Sequence, residues 1–327
     1  MTAESLFRFT LPDGLQPVDI SRHLGGIADL LELCFSADMD AAGRGVVREM
    51  HFLSRLGPGL QVFRWLGLSQ QPWDLGYVWV EAGRVVGSVS TTRSASRSTG
   101  WLIANVAVHP DYRRGGIAVS LMRATLDLIR SRRGGEAILQ VDDDNTGAIE
   151  LYRRLGFSHV STQTAWGRPP RTPAPHYQPT AFDIRPRGPT EWAEQLALAW
   201  LVRPEGLAWN QPLRPETFAP NLWARLDRFF GGQTEEHWVA EVKDRIVGSL
   251  TLRTQWGEDD RLTLLVHPDY RGQLERPLLV RGLRRLALRP AGVRIEHAAA
   301  DEAASAALRA LDFQPLRTLR WMRADVH

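Results

Sequence analysis

Six residues, Val108 to Arg113, recur unchanged as Val266 to Arg271, 158 positions further along the chain. Two more blocks keep the same order. Arg84 to Ser88 matches Arg245 to Ser249 at an offset of 161, and Leu155 to Phe157 matches Leu311 to Phe313 at an offset of 156. Three blocks in one order at a nearly constant offset mean a duplicated domain, and the period is far too long for a solenoid. A chain of 327 residues is then two domains' worth. The boundary falls in Gly167 to Pro175, where dense prolines continue neither a helix nor a central strand and favour an extended spacer. The expected division is a first domain at residues 1–166, a Pro-rich linker at 167–181 and a second domain at 182–327.

Composition sets the class and removes several others. Apolar residues make up 43% of the chain and charged ones 24%, close to globular averages, which excludes disordered and fibrous readings. No stretch approaches the ~18 apolar residues of a membrane-spanning helix, and the N-terminus lacks the basic-then-apolar layout of a signal peptide. Cys34 stands alone, without a disulfide framework or a cysteine cluster for zinc. A cytoplasmic protein with no membrane partner and no metal is expected. Of 40 basic residues only Lys243 is a lysine, yet the net charge is +3 and acidic residues are interspersed throughout. Nucleic-acid binders concentrate their basic charge on one stripe; no nucleic-acid partner is expected.

Apolar periodicity orders the first copy. Leu15 to Pro17 opens it as a strand. Ile20 to Phe35 reads as a helix with Ile27, Leu30, Leu31 and Cys34 on one face, and Ala42 to Leu56 as a second helix. Tyr77 to Glu81, a turn at Ala82–Gly83 and Val85 to Thr92 form a hairpin. Leu102 to Val108 is a further strand, Ile117 to Arg130 a helix, Ala137 to Val141 a buried strand, Thr146 to Leu155 a helix and Phe157 to Ala165 a closing strand. After the linker, Phe182 to Pro186 opens the second copy.

Within this order, Tyr112-Arg113-Arg114-Gly115-Gly116-Ile117-Ala118 leads from a strand into a helix. The first N–H groups of a helix have no intrahelical partner, point outward and carry the positive end of the dipole. Gly115 and Gly116 lack a Cβ and let a phosphate approach the backbone, Ala118 keeps the helix start narrow, and Arg113 and Arg114 add charge. The bland alternative is a turn that merely needs glycines. The flanking residues decide between them. Arg113-x-x-Gly116-x-Ala118, preceded by Val108-x-Pro110, resembles motif A of the GNAT superfamily of N-acetyltransferases. Asn145-x-x-Ala148-x-x-Leu151-Tyr152-x-x-Leu155-Gly156-Phe157 resembles that family's motif B. The resemblance is strong over residues 77–160.

The resemblance implies an α/β fold of two tandem GNAT-type domains, each a mixed, mostly antiparallel sheet flanked by helices. It implies acetyl-CoA as co-substrate, with main-chain groups of Val106, Ala107 and Val108 pairing with its pantetheine arm. The pyrophosphate would rest on the amides of Arg114, Gly115, Gly116, Ile117, Ala118 and Val119. Asn145 would contact the cofactor, or cap the helix at Thr146, or both. Gly156 reads as the left-handed residue that ends this helix. Acetyl transfer needs a neutral amine, since an alkylammonium has no lone pair. It also needs a donor for the oxyanion, here the N–H around Val106, and an acid for the departing thiolate. Tyr152 occupies the family's position for that acid, with packing beside Leu151 and Leu155 as its other role. The family's glutamate base is missing: Ala104 stands at its place and Asn105 beside it. Glu81, Glu49, His51 and Asp142 to Asp144 are substitutes, as is a water chain; Asp142 to Asp144 read more simply as a solvated turn.

Aligned without gaps from the repeated hexapeptide, the second copy replaces Gly115, Gly116, Ile117 and Ala118 by Gln273, Leu274, Glu275 and Arg276; aligned on the block Leu155 to Phe157, it replaces Asn145 by Asp301 and Tyr152 by Leu308. It is expected to keep the fold without binding acetyl-CoA, and to serve as a built-in dimer partner in a monomeric protein. The expected activity is N-acetylation of a primary amine of a small molecule by direct transfer in a ternary complex. The alternatives are acetylation of a protein or peptide amine and an acyl-CoA-binding sensor without turnover.

Overall fold

The structure, a computed structural model, describes residues 13–36, 39, 41–55, 75–94, 100–177, 179–203, 213, 218 and 232–326. The first copy runs β1 (Gly14–Pro17), α1 (Ile20–Phe35), α2 (Ala41–Ser54), β2 (Gly76–Glu81), β3 (Arg84–Arg93), β4 (Gly100–Val108), a 3-10 turn (Pro110–Tyr112), α3 (Ile117–Ser131), β5 (Glu136–Asp142), α4 (Thr146–Arg154) and β6 (Ser158–Arg168). The second runs β7 (Asp183–Pro186), α5 (Trp192–Val202), β8 (Gln233–Val242), β9 (Arg245–Gln255), β10 (Asp260–Val266), a 3-10 turn (Pro268–Tyr270), α6 (Glu275–Arg285), β11 (Val293–Ala298), α7 (Glu302–Arg309) and β12 (Gln314–Asp325). The order anticipated for the first copy is the observed one. The helix predicted to reach Leu56 is described to Ser54, Leu56 lying outside the described residues. No helix among the described residues is long and apolar enough to cross a membrane.

The chain forms two compact units. The first comprises Met1–Gln140, Gly147–Ser158 and Met322–His327. Its strands run β1-β2-β3-β4-β5, antiparallel except for the parallel pair β4–β5. Asp19 caps α1, its carboxylate accepting the Ser21 N–H at 3.0 Å. Ile20, Leu24, Ile27 and Leu31 then face Val78, Val80 and Ala107 of the sheet together with Val47 and Met50 of α2. The helical period puts these apolar residues on one stripe, so α1 can bury all of them at once. On the opposite sheet face α3 lies close against Gly87, where a Cβ would stand 2.8 Å from Ile117 Cγ2 and 3.0 Å from Leu121 Cδ1. The end of the chain completes this unit: Met322, Ala324 and Val326 are buried, the Val326 N–H donates to the Gly135 carbonyl at 3.0 Å, and Arg323 lies 3.2 Å from Glu136.

The second unit comprises Val141–Thr146 and His159–Trp321. Its strands run β12-β6-β11-β10-β9-β8-β7, with β6 antiparallel to β11 from Gln163↔Ala298 to Arg168↔Val293. The core gathers Leu250, Leu252, Leu264, Leu278, Leu283 and Phe313, with Trp166 of β6 among them. Each copy's closing strand therefore counts in part with the other unit. Sequence repetition sets a boundary after β6; compactness sets it before, because β6 finds its backbone partner in β11. Gly167 and Arg168, read as the start of the linker, are the last residues of β6. The buried Arg168 guanidinium then organises the Pro-rich segment, donating to the Pro173 carbonyl at 2.7 Å and the Leu311 carbonyl at 2.8 Å.

Candidate active site

The repeated hexapeptide turns out to be architectural. In both copies Pro opens a 3-10 turn, the preceding histidine accepts the aspartate N–H through Nδ1 at 3.3 Å (His109 from Asp111, His267 from Asp269), and its ring meets the tyrosine edge-on. The turn reverses the chain at the end of a strand and aims it into the next helix. Beyond the turn the two copies diverge.

In the first unit Arg114 and Gly116 adopt left-handed backbone, at φ +65° and +82°. Gly116 is the N-cap of α3 and makes no side-chain cap, and the first helical bond runs from the Ser120 N–H to the Gly116 carbonyl at 3.0 Å. The N–H groups of Ile117, Ala118 and Val119 are thus left without an intrahelical acceptor. A Cβ on Gly116 would meet nothing within 4 Å, so the glycine is required by its backbone angle and the space before the helix head is open. Gly115 and Arg114 are exposed there. Arg113 folds back, its Nε donating to the Val108 carbonyl at 3.2 Å. Cys34 Sγ lies 3.6 Å from the same oxygen; burial pushes this thiol up, against the pull of Arg113.

β4 carries a second irregularity. Ser88 pairs with Ala107 and Ser90 with Ala104, so two residues, Asn105 and Val106, stand opposite Val89 alone. This is a β-bulge, with Asn105 in left-handed backbone at φ +53°. The Ser88 hydroxyl donates to the Asn105 carbonyl at 3.2 Å. In a trans peptide C=O and N–H point opposite ways, so the Val106 N–H is turned off β3. The pairing of β4 with β5 ends at Ile103↔Leu139, and β4 continues to Val108 without it. Ala107 turns its main chain toward Ser88 on β3, and by alternation Val108 turns its own away. Val106 and Val108 thus present main-chain groups on the side where β4 has lost its partner, and Ala107 does not.

Tyr152, on α4 and also in the first unit, is 5% exposed, with its ring centroid 6.0 Å from that of Phe157. Burial pushes its phenol up to about 12, which keeps the hydroxyl protonated across the physiological range. Gly156 ends the helix at φ +87°. Asn145 counts with the second unit; it stands in the turn ahead of α4, its N–H donating to the Asp142 carbonyl at 3.0 Å. Four of the substitute bases, Asp142, Asp143, Glu81 and His51, are drawn into other work. Asp142 accepts both Nε and Nη2 of Arg317 at 2.5 and 2.7 Å, and Asp143 is held by Arg320 at 2.6 and 2.8 Å, where a solvated turn was expected. Glu81 accepts the Trp79 indole N–H at 3.3 Å, His51 lies 3.5 Å from Glu32, and Glu49 is exposed on α2. No group of three or more His, Cys, Asp or Glu side chains among the described residues is gathered to hold a metal.

The second unit lacks both devices. β10 pairs with β9 without interruption from Arg261 to Val266: the position of Asn105 is deleted. Gly248 meets Leu274 and Leu278 at 3.0 and 2.9 Å, as Gly87 meets Ile117 and Leu121. Core packing therefore sets Leu274 opposite Ile117, not opposite Gly116 as the ungapped alignment has it, and the turn is one residue shorter. Glu275 takes the place of Ala118. It is 2% exposed, with both carboxyl oxygens lacking a hydrogen-bond partner.

With the geometry in place, comparison with known proteins is specific. A family model described as "Acetyltransferase (GNAT) family" matches residues 46–157. N-alpha-acetyltransferase 30 of Schizosaccharomyces pombe is 34% identical over 87 residues, covering 26% of this chain and 57% of that protein. Mycothiol acetyltransferase of Saccharomonospora viridis is 36% identical over 93 residues, 26% of this chain and 30% of that one. Streptothricin acetyltransferase of Streptomyces lavendulae is 38% identical over 63 residues, 19% of this chain and 33% of that one. The chain thus spans between about a third and somewhat over half the length of these relatives. Among solved structures, a GCN5-related N-acetyltransferase from Sphaerobacter thermophilus superposes at TM-score 0.62 with 18% identity, covering 97% of this chain and 98% of that one. A tandem GNAT protein from the clavulanic acid biosynthesis pathway superposes at 0.55 with 17% identity, covering 96% and 98%.

Proposed function

We propose that the first copy, which carries the match to the acetyltransferase (GNAT) family at residues 46–157 in a chain with the fold of tandem GNAT structures, moves the acetyl group of acetyl-CoA directly to a primary amine, in a ternary complex. The observation that carries this reading is the pairing of an open helix head at Gly116 with a bulge that turns the Val106 N–H off the sheet. The uncapped amides of α3 suit the pyrophosphate. The main-chain groups of Val106 and Val108 suit the pantetheine arm, and the Val106 N–H suits the oxyanion formed when nitrogen attacks the thioester carbon. As the C–S bond breaks, the thiolate takes the Tyr152 proton and solvent restores it. The acceptor is a small molecule, in keeping with the mycothiol and streptothricin acetyltransferases. A peptide α-amine is the second reading, favoured by the likeness to an N-alpha-acetyltransferase.

Thiol release from acetyl-CoA with glycinamide, 1-butylamine, an unblocked tetrapeptide and a blank tests this reading. Release with a small amine, together with one CoA bound per chain in calorimetry, is expected. Release confined to the tetrapeptide selects the second reading. Binding without release on any amine replaces both by an acyl-CoA sensor.

A further inference from the structure

The polar strip beside the bulge supplies something that the missing glutamate does not. Val78 pairs with Ser88, and Val78 and Ala107 pack against α1, so the row Ser88, Ser90, Ala104 lies on the sheet face that α1 covers. Asn105 reaches onto this face: its Nδ2 donates to Ser90 Oγ at 2.9 Å, and the Ser90 hydroxyl donates to the Ala104 carbonyl at 3.2 Å. Ser90 has one proton and spends it on Ala104, so its oxygen can only accept from Asn105. That fixes which way the amide is turned. Nδ2 faces Ser90, and Oδ1 faces away from it on an exposed residue.

The next atom group along the chain is the Val106 N–H, already turned off β3. In the addition of an amine to a thioester, the oxyanion and the attacking nitrogen are bonded to one carbon. Their hydrogen-bond partners must therefore lie within a few ångströms of each other, as groups on consecutive residues do.

Building on the acetyl-transfer reading above, we propose that Asn105 Oδ1 accepts a hydrogen bond from the incoming amine and holds its lone pair toward the thioester, with Ser90 as the positioning residue behind it. An amide can hold an N–H but cannot take its proton. The amine must arrive neutral. After the N–C bond forms and the C–S bond breaks, the ammonium proton passes to water and the thiolate is protonated from Tyr152. This selects the substrate class. α-Amines, with pKa near ~8, are neutral at pH 7 a few hundred times more often than alkylamines near ~10.4, so a compound presenting an α-amine is the acceptor that this site serves.

Asn105→Gly tests it without disturbing the backbone, since glycine adopts φ +53° freely. With glycinamide as acceptor, the variant is expected to lose about tenfold or more in kcat/KM, the size of one hydrogen bond, while acetyl-CoA affinity by calorimetry stays unchanged. Ser90→Ala should show a smaller loss that Ser90→Thr restores. In the wild type, kcat/KM for glycinamide should rise with pH to a plateau near the amine's own pKa, and exceed that for 1-butylamine at pH 7. Asn105→Asp, which adds a proton acceptor, should move that rise to lower pH. Unchanged kcat/KM in Asn105→Gly, or a loss matched by an equal loss of acetyl-CoA affinity, overturns the assignment of Asn105. A wild-type protein silent with every amine overturns the transfer reading itself.

Discussion

Tyr152 is a packed side chain to which the proposed transfer also assigns a proton to deliver. Its ring is enclosed beside Phe157, and the same enclosure holds its phenol at about 12. Tyr152→Phe keeps the packing and removes the proton. General acid catalysis is typically worth ~10²–10⁴-fold, but a CoA thiolate is already a fair leaving group. The expected loss is on the order of tenfold to a hundredfold in kcat, with little change in the KM for acetyl-CoA, measured where chemistry limits the rate. Stability is linked to the same proton. The folded state binds the phenolic proton more tightly than the unfolded chain, whose tyrosine titrates near 10. Stability is therefore complete below pH ~10 and declines as pH rises from there to ~12, by about 2–3 kcal/mol. Tyr152→Phe should flatten that decline in urea titrations at pH 9 and 11. Tyr152 and Gly116 are legible in the sequence because their motif spacing is local. The bulge is not. Asn105 is one inserted residue between copies whose strands share few identities here, and only the register against β3 exposes it. The aspartates escape a sequence reading for a similar reason: Arg317 and Arg320, which hold Asp142 and Asp143, lie 175 and 177 residues away.

At the scale of the element, α3 and α6 are the same helix with different heads. Leu121, Met122, Leu126 and Ile129 are buried on one, and Leu278, Leu279 and Leu283 on the other. Both stripes follow from the helical period, which is why α3 is readable at nearly its observed bounds. Their heads obey no period. One residue more and a left-handed Gly116 leave the α3 amides facing open space; one residue fewer leaves Glu275 buried at the head of α6. Ala118→Glu transplants that carboxylate into the turn proposed to seat the pyrophosphate. It sets a like charge against the pyrophosphate and fills the narrow start of the helix. Acetyl-CoA affinity should fall at least a hundredfold in calorimetry, while the far-ultraviolet dichroism and melting temperature stay near wild type. Retained affinity would move the phosphate seat elsewhere on the chain.

On the scale of the molecule, the repeat and the compact units disagree about where each copy ends. Residues 322–327 count with the first unit, where Val326 bonds to Gly135 and Arg323 lies beside Glu136. Residues 159–168 count with the second, where β6 borders β11. Sequence similarity records descent, and descent says nothing about which strand a backbone will pair with, so this exchange could not be read from the repeat. Deleting residues 322–327 removes three buried apolar side chains and leaves Glu136 without its arginine. Acetyl-CoA binding should weaken and the melting temperature should drop by several degrees, although the deleted segment lies some two hundred residues beyond the helix head; the loss should track unfolding, with binding recovered on cooling. A fragment cut within the Pro-rich segment should fold poorly for the same reason. The second copy's β11 is the edge on which β6 closes, and residues 322–326 bring buried side chains and a backbone bond to the first unit. A substitution that unsettles β11 would therefore also loosen β6, a strand that the repeat assigns to the first copy.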